Sequence, residues 1–127
     1  MFIDDICYIA NVGDSRAIMS VLGGKNIFEL SEDHKPESDA ETKRITENGG
    51  KIYQTTTSAR VPNNPSGKEQ LLLGPHRVLP GRLSVSRTFG DIEAKLSKYG
   101  GNPNVIIAEP EITAFQVKDE YDYVVLG

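Results

Sequence analysis

The sequence has few of the residues that build cysteine- and histidine-based sites. Its 127 residues include one cysteine, two histidines and no tryptophan. A single cysteine excludes an intramolecular disulfide. Cys7, His34 and His76 are also too few and too far apart in sequence to favour a Cys/His zinc site. Because Cys7 lies in an apolar run, we expect it to be a buried, inert thiol.

Long hydrophobic runs and an excess of positive charge are also missing. No apolar run approaches the roughly 18–20 residues that a membrane-spanning helix needs. The first five residues lack the basic and then apolar pattern of a secretory signal. The net charge of −4 provides no global attraction to nucleic acid or to anionic membranes. We therefore expect an intracellular protein, cytoplasmic or nuclear, with no nucleic-acid or membrane partner.

Several catalytic signatures are absent as well. A cysteine-based phosphatase needs an arginine six positions after its cysteine, but Gly13 occupies that position after Cys7. The sequence contains no phosphate-binding loop of the Gly-x-x-x-x-Gly-Lys-Ser/Thr type and no Gly-x-Gly-x-x-Gly fingerprint. These absences argue against cysteine-based phosphatase chemistry and against the common nucleotide-binding classes.

The composition that is present, 38% hydrophobic and 25% charged, is typical of a folded globular chain. Residues 6–12, 16–22 and 26–30 have the apolar patterns of three short strands. Turn-forming residues separate them at 13–15 and at Gly23 and Gly24. This order predicts a meander of three neighbouring antiparallel strands.

A helix with recognisable ends follows the strands. Ser38 and Glu41 have the spacing of a capping box, which predicts a helix start at this point. Gly49 has the position of a left-handed cap at the helix end. Only Ala40 and Ile45 form an apolar stripe, so the pattern predicts a surface helix that covers little of the core.

The second half of the chain has a weaker pattern. Residues 51–53 predict a brief strand, and residues 54–76 are rich in turn-forming types and predict a variable loop. Such a loop is either a tolerated surface insertion or a functional segment. Residues 82–87 predict a strand and residues 92–98 a short helix that ends at Gly100. Residues 111–117 and 121–126 predict two final strands.

Several segments resemble one known family. They occur in that family's order and cover nearly the whole chain apart from residues 54–76. They are Ala10-Asn11-Val12-Gly13-Asp14-Ser15-Arg16-Ala17, Leu30-Ser31-Glu32-Asp33-His34-Lys35-Pro36, Glu41 with Arg44-Ile45 and Gly49-Gly50, Leu83-Ser84-Val85-Ser86-Arg87-Thr88-Phe89-Gly90-Asp91, and Ile107-Ala108-Glu109-Pro110-Glu111-Ile112. On these residues, the sequence resembles the central part of the catalytic domain of the metal-dependent serine/threonine protein phosphatases of type 2C.

The resemblance implies an α+β fold, a β-sandwich of two antiparallel sheets flanked by helices, of which residues 1–127 form a part. It implies hydrolysis of phosphoserine and phosphothreonine in phosphoprotein substrates, in signalling, with two magnesium or manganese ions as cofactors. The family's main metal segments have no counterpart in this sequence, and neither does its phosphate-gripping arginine. We therefore expect the chain to be inactive alone, and we assign it no catalytic residue.

Two residues carry candidate roles from the resemblance. Asp14 matches an aspartate of an accessory metal position, although it could instead only close a turn through bonds to the backbone. Arg87 is a candidate substrate-proximal residue, but it could equally pair with Asp91 or with the core. Arg16 is predicted to be the structural partner of a buried acid.

Asp33 and His34 are adjacent, so their side chains point to opposite faces of an extended segment and cannot form one relay. We expect them to fix the turn into Pro36 and the helix. Residues 54–76 fall where the family has its flap, which implies an influence on substrate choice. An alternative to the enzyme is a phosphatase-like adaptor or regulatory module that keeps the sheets without catalysis. The sequence predicts no oligomeric state.

Overall fold

The computed structural model describes residues 1–60 and 69–127. These residues form two compact units. The first unit contains Met1–His34, Arg87–Gly90 and Ile107–Gly127, and the second contains Lys35–Ser86 and Asp91–Ile106. In chain order the elements are β1 (Phe2–Ile3), β2 (Ile6–Asn11), β3 (Ala17–Val21), β4 (Asn26–Glu29), α1 (Asp39–Glu47), β5 (Lys51–Arg60), β6 (Glu69–Leu79), α2 (Ile92–Lys95), a 3₁₀ turn (Ser97–Tyr99), β7 (Glu111–Gln116) and β8 (Tyr121–Leu126).

The first unit contains two three-stranded antiparallel sheets. One has the strand order β1–β2–β7 and the other the order β4–β3–β8. Cys7 of β2 and Met19 of β3 are buried. The Phe115 ring contacts the Tyr121 ring edge-to-face, with the ring centroids 5.8 Å apart. The predicted α+β fold with antiparallel sheets is confirmed, and so is the burial of the single thiol.

The predicted meander is wrong at its first connection. Strands β3 and β4 pair with each other, but β2 and β3 lie in different sheets. The reason is that each finds a partner far along the chain. Strand β2 pairs with β7 from Asn11↔Glu111 to Ile6↔Gln116. Next to β3, the Arg16 amide donates to the Gly127 carbonyl at 2.7 Å, so the turn after β2 does not close a hairpin.

The second unit contains a long hairpin where a loop was predicted for residues 54–76. Strands β5 and β6 pair antiparallel from Lys51↔Leu79 to Arg60↔Glu69, with a register shift between Gln54 and Thr56. Polar residues in β5 obscure the strand pattern, because the outer part of the hairpin, where residues 56–58 pair with residues 71–73, is exposed on both faces, whereas Val78 near its base is buried. Leu71 and Leu73 of β6 are 62% and 66% exposed. The middle of the predicted loop, residues 61–68, lies outside the described residues.

Helix α1 ends as predicted but begins differently. Gly49 has a φ of +80°, and the Gly50 amide donates to the Ile45 carbonyl at 2.8 Å, which is a Schellman ending. At the start, the Ser38 hydroxyl donates to the Lys35 carbonyl and makes no cap bond to the helix. Glu41 is buried and does not complete a capping box, so that prediction is wrong.

The helix is also more central than predicted. Ile45 is fully buried in the core of the second unit. The other buried members of this core come from β6, α2 and the segment before residue 107, and they are Val78, Ala94, Val105 and Ile106. One well-placed isoleucine thus connects the helix to the core, although Ala40 is exposed.

The remaining predictions concern the chain from residue 82 onward. Residues 82–87 do not form a strand, since only isolated bridges, Val78↔Leu83 and Arg87↔Ile107, occur there. Positive φ values at Gly81 and Arg82 turn the chain at the start of this segment. The predicted helix exists as α2 and the 3₁₀ turn, with Gly100 at its end, and both final strands are confirmed. In the described part of the chain no helix is long and apolar enough to span a membrane.

Candidate functional site

The candidate site of the first unit is the turn that joins β2 to β3. Its central residue, Gly13, has a φ of +99°, a conformation that favours glycine. Asn11, the last residue of β2, is buried. Its side-chain amide donates to the Gly13 carbonyl at 3.3 Å and to the Glu32 carbonyl at 2.9 Å. The turn is therefore fixed on one side by the end of the strand that precedes it.

His34 fixes the same turn from the other side. Its imidazole is only 3% exposed, and Nδ1 accepts a hydrogen bond from the Gly13 amide at 3.1 Å. The backbone amide of His34 donates to the Gly13 carbonyl at 3.0 Å. The other ring nitrogen, Nε2, lies 3.7 Å from the Glu111 carboxylate. The expected role of His34 in the turn into Pro36 thus misses its main contacts, which are 21 residues away in sequence.

Asp14 follows Gly13 and is exposed. Among the described residues, no group of three or more histidine, cysteine, aspartate or glutamate side chains is placed to hold a metal ion. The described residues therefore do not fit a complete magnesium or manganese centre, which needs several oxygen ligands. No chemical step is assigned to a metal in this chain.

Arg16 and Asp33 form a bidentate ion pair beside the turn. Nε lies 2.8 Å from Oδ1 and Nη2 3.0 Å from Oδ2. The hydrogen bond to Asp33 raises the pKa of Arg16, and the carboxylate's charge adds to this rise. The Asp33 side chain is 17% exposed. The structure thus gives Arg16 an acidic partner as predicted, although Asp33 is partly exposed rather than buried, and it directs Asp33 and His34 to different partners, as expected.

Arg87 lies next to the turn through its backbone. A Cβ added to Gly13 would lie 3.6 Å from the Arg87 carbonyl oxygen. Arg87 forms a parallel bridge with Ile107, and its Nη1 donates to the Glu109 carbonyl at 3.1 Å. The side chain is half-buried. The structure therefore brings the segments of Asp14 and Arg87 together, and it directs the guanidinium to a backbone carbonyl.

A cavity of about 310 Å³ lies beside the supports of the turn. Asn11 lines it together with three carboxylate residues, Glu29, Glu32 and Glu111. The concentration of negative charge disfavours a phosphate group in this cavity. It does not provide the phosphate subsite of a phosphatase.

Comparison with known proteins identifies the family. The family model described as Protein phosphatase 2C matches residues 2–127. The chain belongs to the protein phosphatase 2C family. Probable protein phosphatase 2C 60 of Arabidopsis thaliana is 32% identical over 126 residues, which are 98% of this chain and 28% of that protein. Protein phosphatase 2C homolog 3 of Schizosaccharomyces pombe is 34% identical over 121 residues, 94% of this chain and 23% of that protein.

Solved structures share the fold. A phosphatase from a pathogenic strain of Toxoplasma gondii has a TM-score of 0.64 and 28% identity, over 95% of this chain and 30% of the other. A Caenorhabditis elegans sex determining protein has the same TM-score with 20% identity, over 96% of this chain and 23% of the other, and this supports the fold alone. The chain spans only about a quarter of the length of the two curated relatives given above, 28% and 23% respectively.

Proposed function

We propose that the protein to which this segment belongs is a metal-dependent phosphatase of phosphoserine and phosphothreonine proteins. The family match over residues 2–127 carries the proposal, because the matched range contains all the segments whose sequence resembles the family. Magnesium or manganese is the proposed cofactor. Phosphoproteins are the proposed substrates, and signalling inside the cell, in the cytoplasm or the nucleus, is the proposed setting.

In this proposal the 127 residues supply framework, and a separate part of a complete domain supplies the principal metal ligands. The exposed carboxylate of Asp14 is the proposed accessory metal residue, at a turn fixed by Asn11 and His34. Arg87 is the proposed substrate-proximal residue, since it has a cationic side chain and its backbone lies against this turn. The β5–β6 hairpin is the proposed flap that influences substrate choice.

A second candidate function is a phosphatase-like adaptor or regulatory module. One observation favours it: within residues 1–60 and 69–127, no cluster of three potential metal ligands exists. A module of this kind would keep the two sheets and would bind a phosphoprotein or another regulator without hydrolysis.

We expect the purified 127-residue chain to show no hydrolysis of a phosphothreonine peptide above the buffer blank. The physical reason is that the exposed Asp14 carboxylate alone cannot hold and activate a metal-bound water. Phosphate release is measured with manganese present and again after chelation. Turnover that requires manganese and disappears with the chelator would contradict the framework role.

A further inference from the structure

We propose that His34 is a positioning residue that holds the Gly13–Asp14 turn through one hydrogen bond to its ring. The inference rests on the proposed function, which gives the turn its importance through Asp14. The observations that carry it are the buried imidazole and the two hydrogen bonds that join His34 to Gly13.

The ring contact fixes the chemical state of the imidazole. Nδ1 accepts a hydrogen bond from the Gly13 amide at 3.1 Å, so this nitrogen carries no proton. The proton of the neutral ring is therefore on Nε2, the nitrogen that lies 3.7 Å from the Glu111 carboxylate. His34 thus presents an acceptor to the turn and a donor toward the first residue of β7.

The turn needs this support because its own backbone bonds are few. Gly13 lies beyond the last ladder pair of β2, Asn11↔Glu111, and its amide donates to a side chain rather than to a neighbouring strand. A buried amide that loses its acceptor becomes unfavourable in that conformation. The carbonyl of the same residue is held twice, by the Asn11 side chain and by the His34 amide. His34 therefore acts on both polar groups of Gly13.

Packing is the competing explanation, since a buried ring also fills volume. Two matched substitutions separate the explanations. In His34→Asn the side-chain oxygen takes the place of Nδ1 and accepts from Gly13, although the residue is smaller. In His34→Gln the side chain is closer in length to the ring, but its polar atoms reach the place of Nε2. If the ring only fills space, glutamine should preserve the turn better than asparagine does. If the ring accepts a hydrogen bond from Gly13, asparagine should preserve the turn better.

The test is amide hydrogen exchange of Gly13, measured by NMR on the full 127-residue chain. Buried amides in the centre of β3, such as that of Met19, serve as the internal reference. We expect His34→Gln to raise the exchange rate of Gly13 about tenfold relative to the reference, the loss expected for one hydrogen bond. We expect His34→Asn to keep most of the protection. Equal loss in both variants, or better protection with glutamine, would overturn the proposal.

The unsubstituted protein provides a test that does not depend on the folding of a variant. A scalar coupling across the hydrogen bond between the Gly13 nitrogen and Nδ1 of His34 is expected, with the ring proton on Nε2. A ring protonated on Nδ1 with no such coupling would overturn the proposal. Neither readout uses catalysis, so failure here is distinguishable from failure of the proposed phosphatase function.

Discussion

Replacing Glu41 by alanine is expected to lower the free energy of unfolding by about 3–5 kcal/mol. The Glu41 side chain is 3% exposed, and its Oε2 lies 2.6 Å from Nη2 of Arg44. The Ser86 hydroxyl donates to the same carboxylate oxygen. The substitution would leave the largely buried Arg44 guanidinium without its counter-charge, and uncompensated buried charge is costly. Urea unfolding followed by circular dichroism measures the change.

The matched control lies on the same helix. Glu47 is 62% exposed in its side chain and lies 4.0 Å from Lys43, so its substitution by alanine should change stability by less than about 0.5 kcal/mol. Similar small effects for Glu41→Ala and Glu47→Ala would show that the Glu41–Arg44–Ser86 cluster does not stabilise the fold. The comparison is made at neutral pH.

The Arg44 guanidinium explains why this cluster should have a large effect. Its Nη1 donates to the carbonyls of Asn104 and Val105 at 3.0 and 2.8 Å. Glu41 therefore orients an arginine that connects α1 to the segment before residue 107. Loss of the carboxylate removes the charge that stabilises the arginine and weakens this connection as well.

Replacing Ile45 by alanine is expected to lower the free energy of unfolding by about 2–5 kcal/mol. Ile45 is fully buried, and it belongs to the core with Val78, Ala94, Val105 and Ile106. Truncation removes three methyl or methylene groups and leaves a cavity that neighbouring residues fill only in part. The same urea experiment measures it.

Ile92 provides the control for side-chain identity. It is the first residue of α2 and is 61% exposed, so Ile92→Ala should change stability by less than about 0.5 kcal/mol. Equal effects of the two substitutions would contradict the central position of Ile45. They would instead support the surface helix that the thin apolar stripe predicts.

Local features of the fold were predictable from the sequence. The β3–β4 hairpin, the glycine ending of α1 and the last two strands each depend on residues within a few positions of one another. Apolar periodicity and glycine placement report such neighbours directly. These are the elements for which prediction and structure agree.

Long-range pairings were not predictable in the same way. Strand β2 pairs with β7, about a hundred residues away. Neither segment has a sequence feature that identifies the other as its partner. The loop prediction for residues 54–76 is wrong because the outer part of the β5–β6 hairpin is exposed on both faces, which removes the alternation that identifies a strand. Glu41 was misread because a capping-box spacing is compatible with a buried ion pair.

The candidate site shows the same limit. The family resemblance predicts roles for Asp14 and Arg87, and the structure brings the segments of these two residues together. It did not indicate the role of His34, since the contact with Gly13 joins positions 21 residues apart. His34 follows a predicted strand, but nothing in its spacing identifies Gly13 as its partner.

The most direct test of the proposed function places this segment in a complete domain. In the chimera, these residues replace the matching segment of the Schizosaccharomyces pombe relative, to which they are 34% identical over 121 residues. Hydrolysis of a phosphothreonine peptide with manganese is measured against the unmodified relative, which controls for the assay. We expect metal-dependent turnover that chelation abolishes. A folded chimera with no turnover beside an active control would contradict the phosphatase function and favour the adaptor.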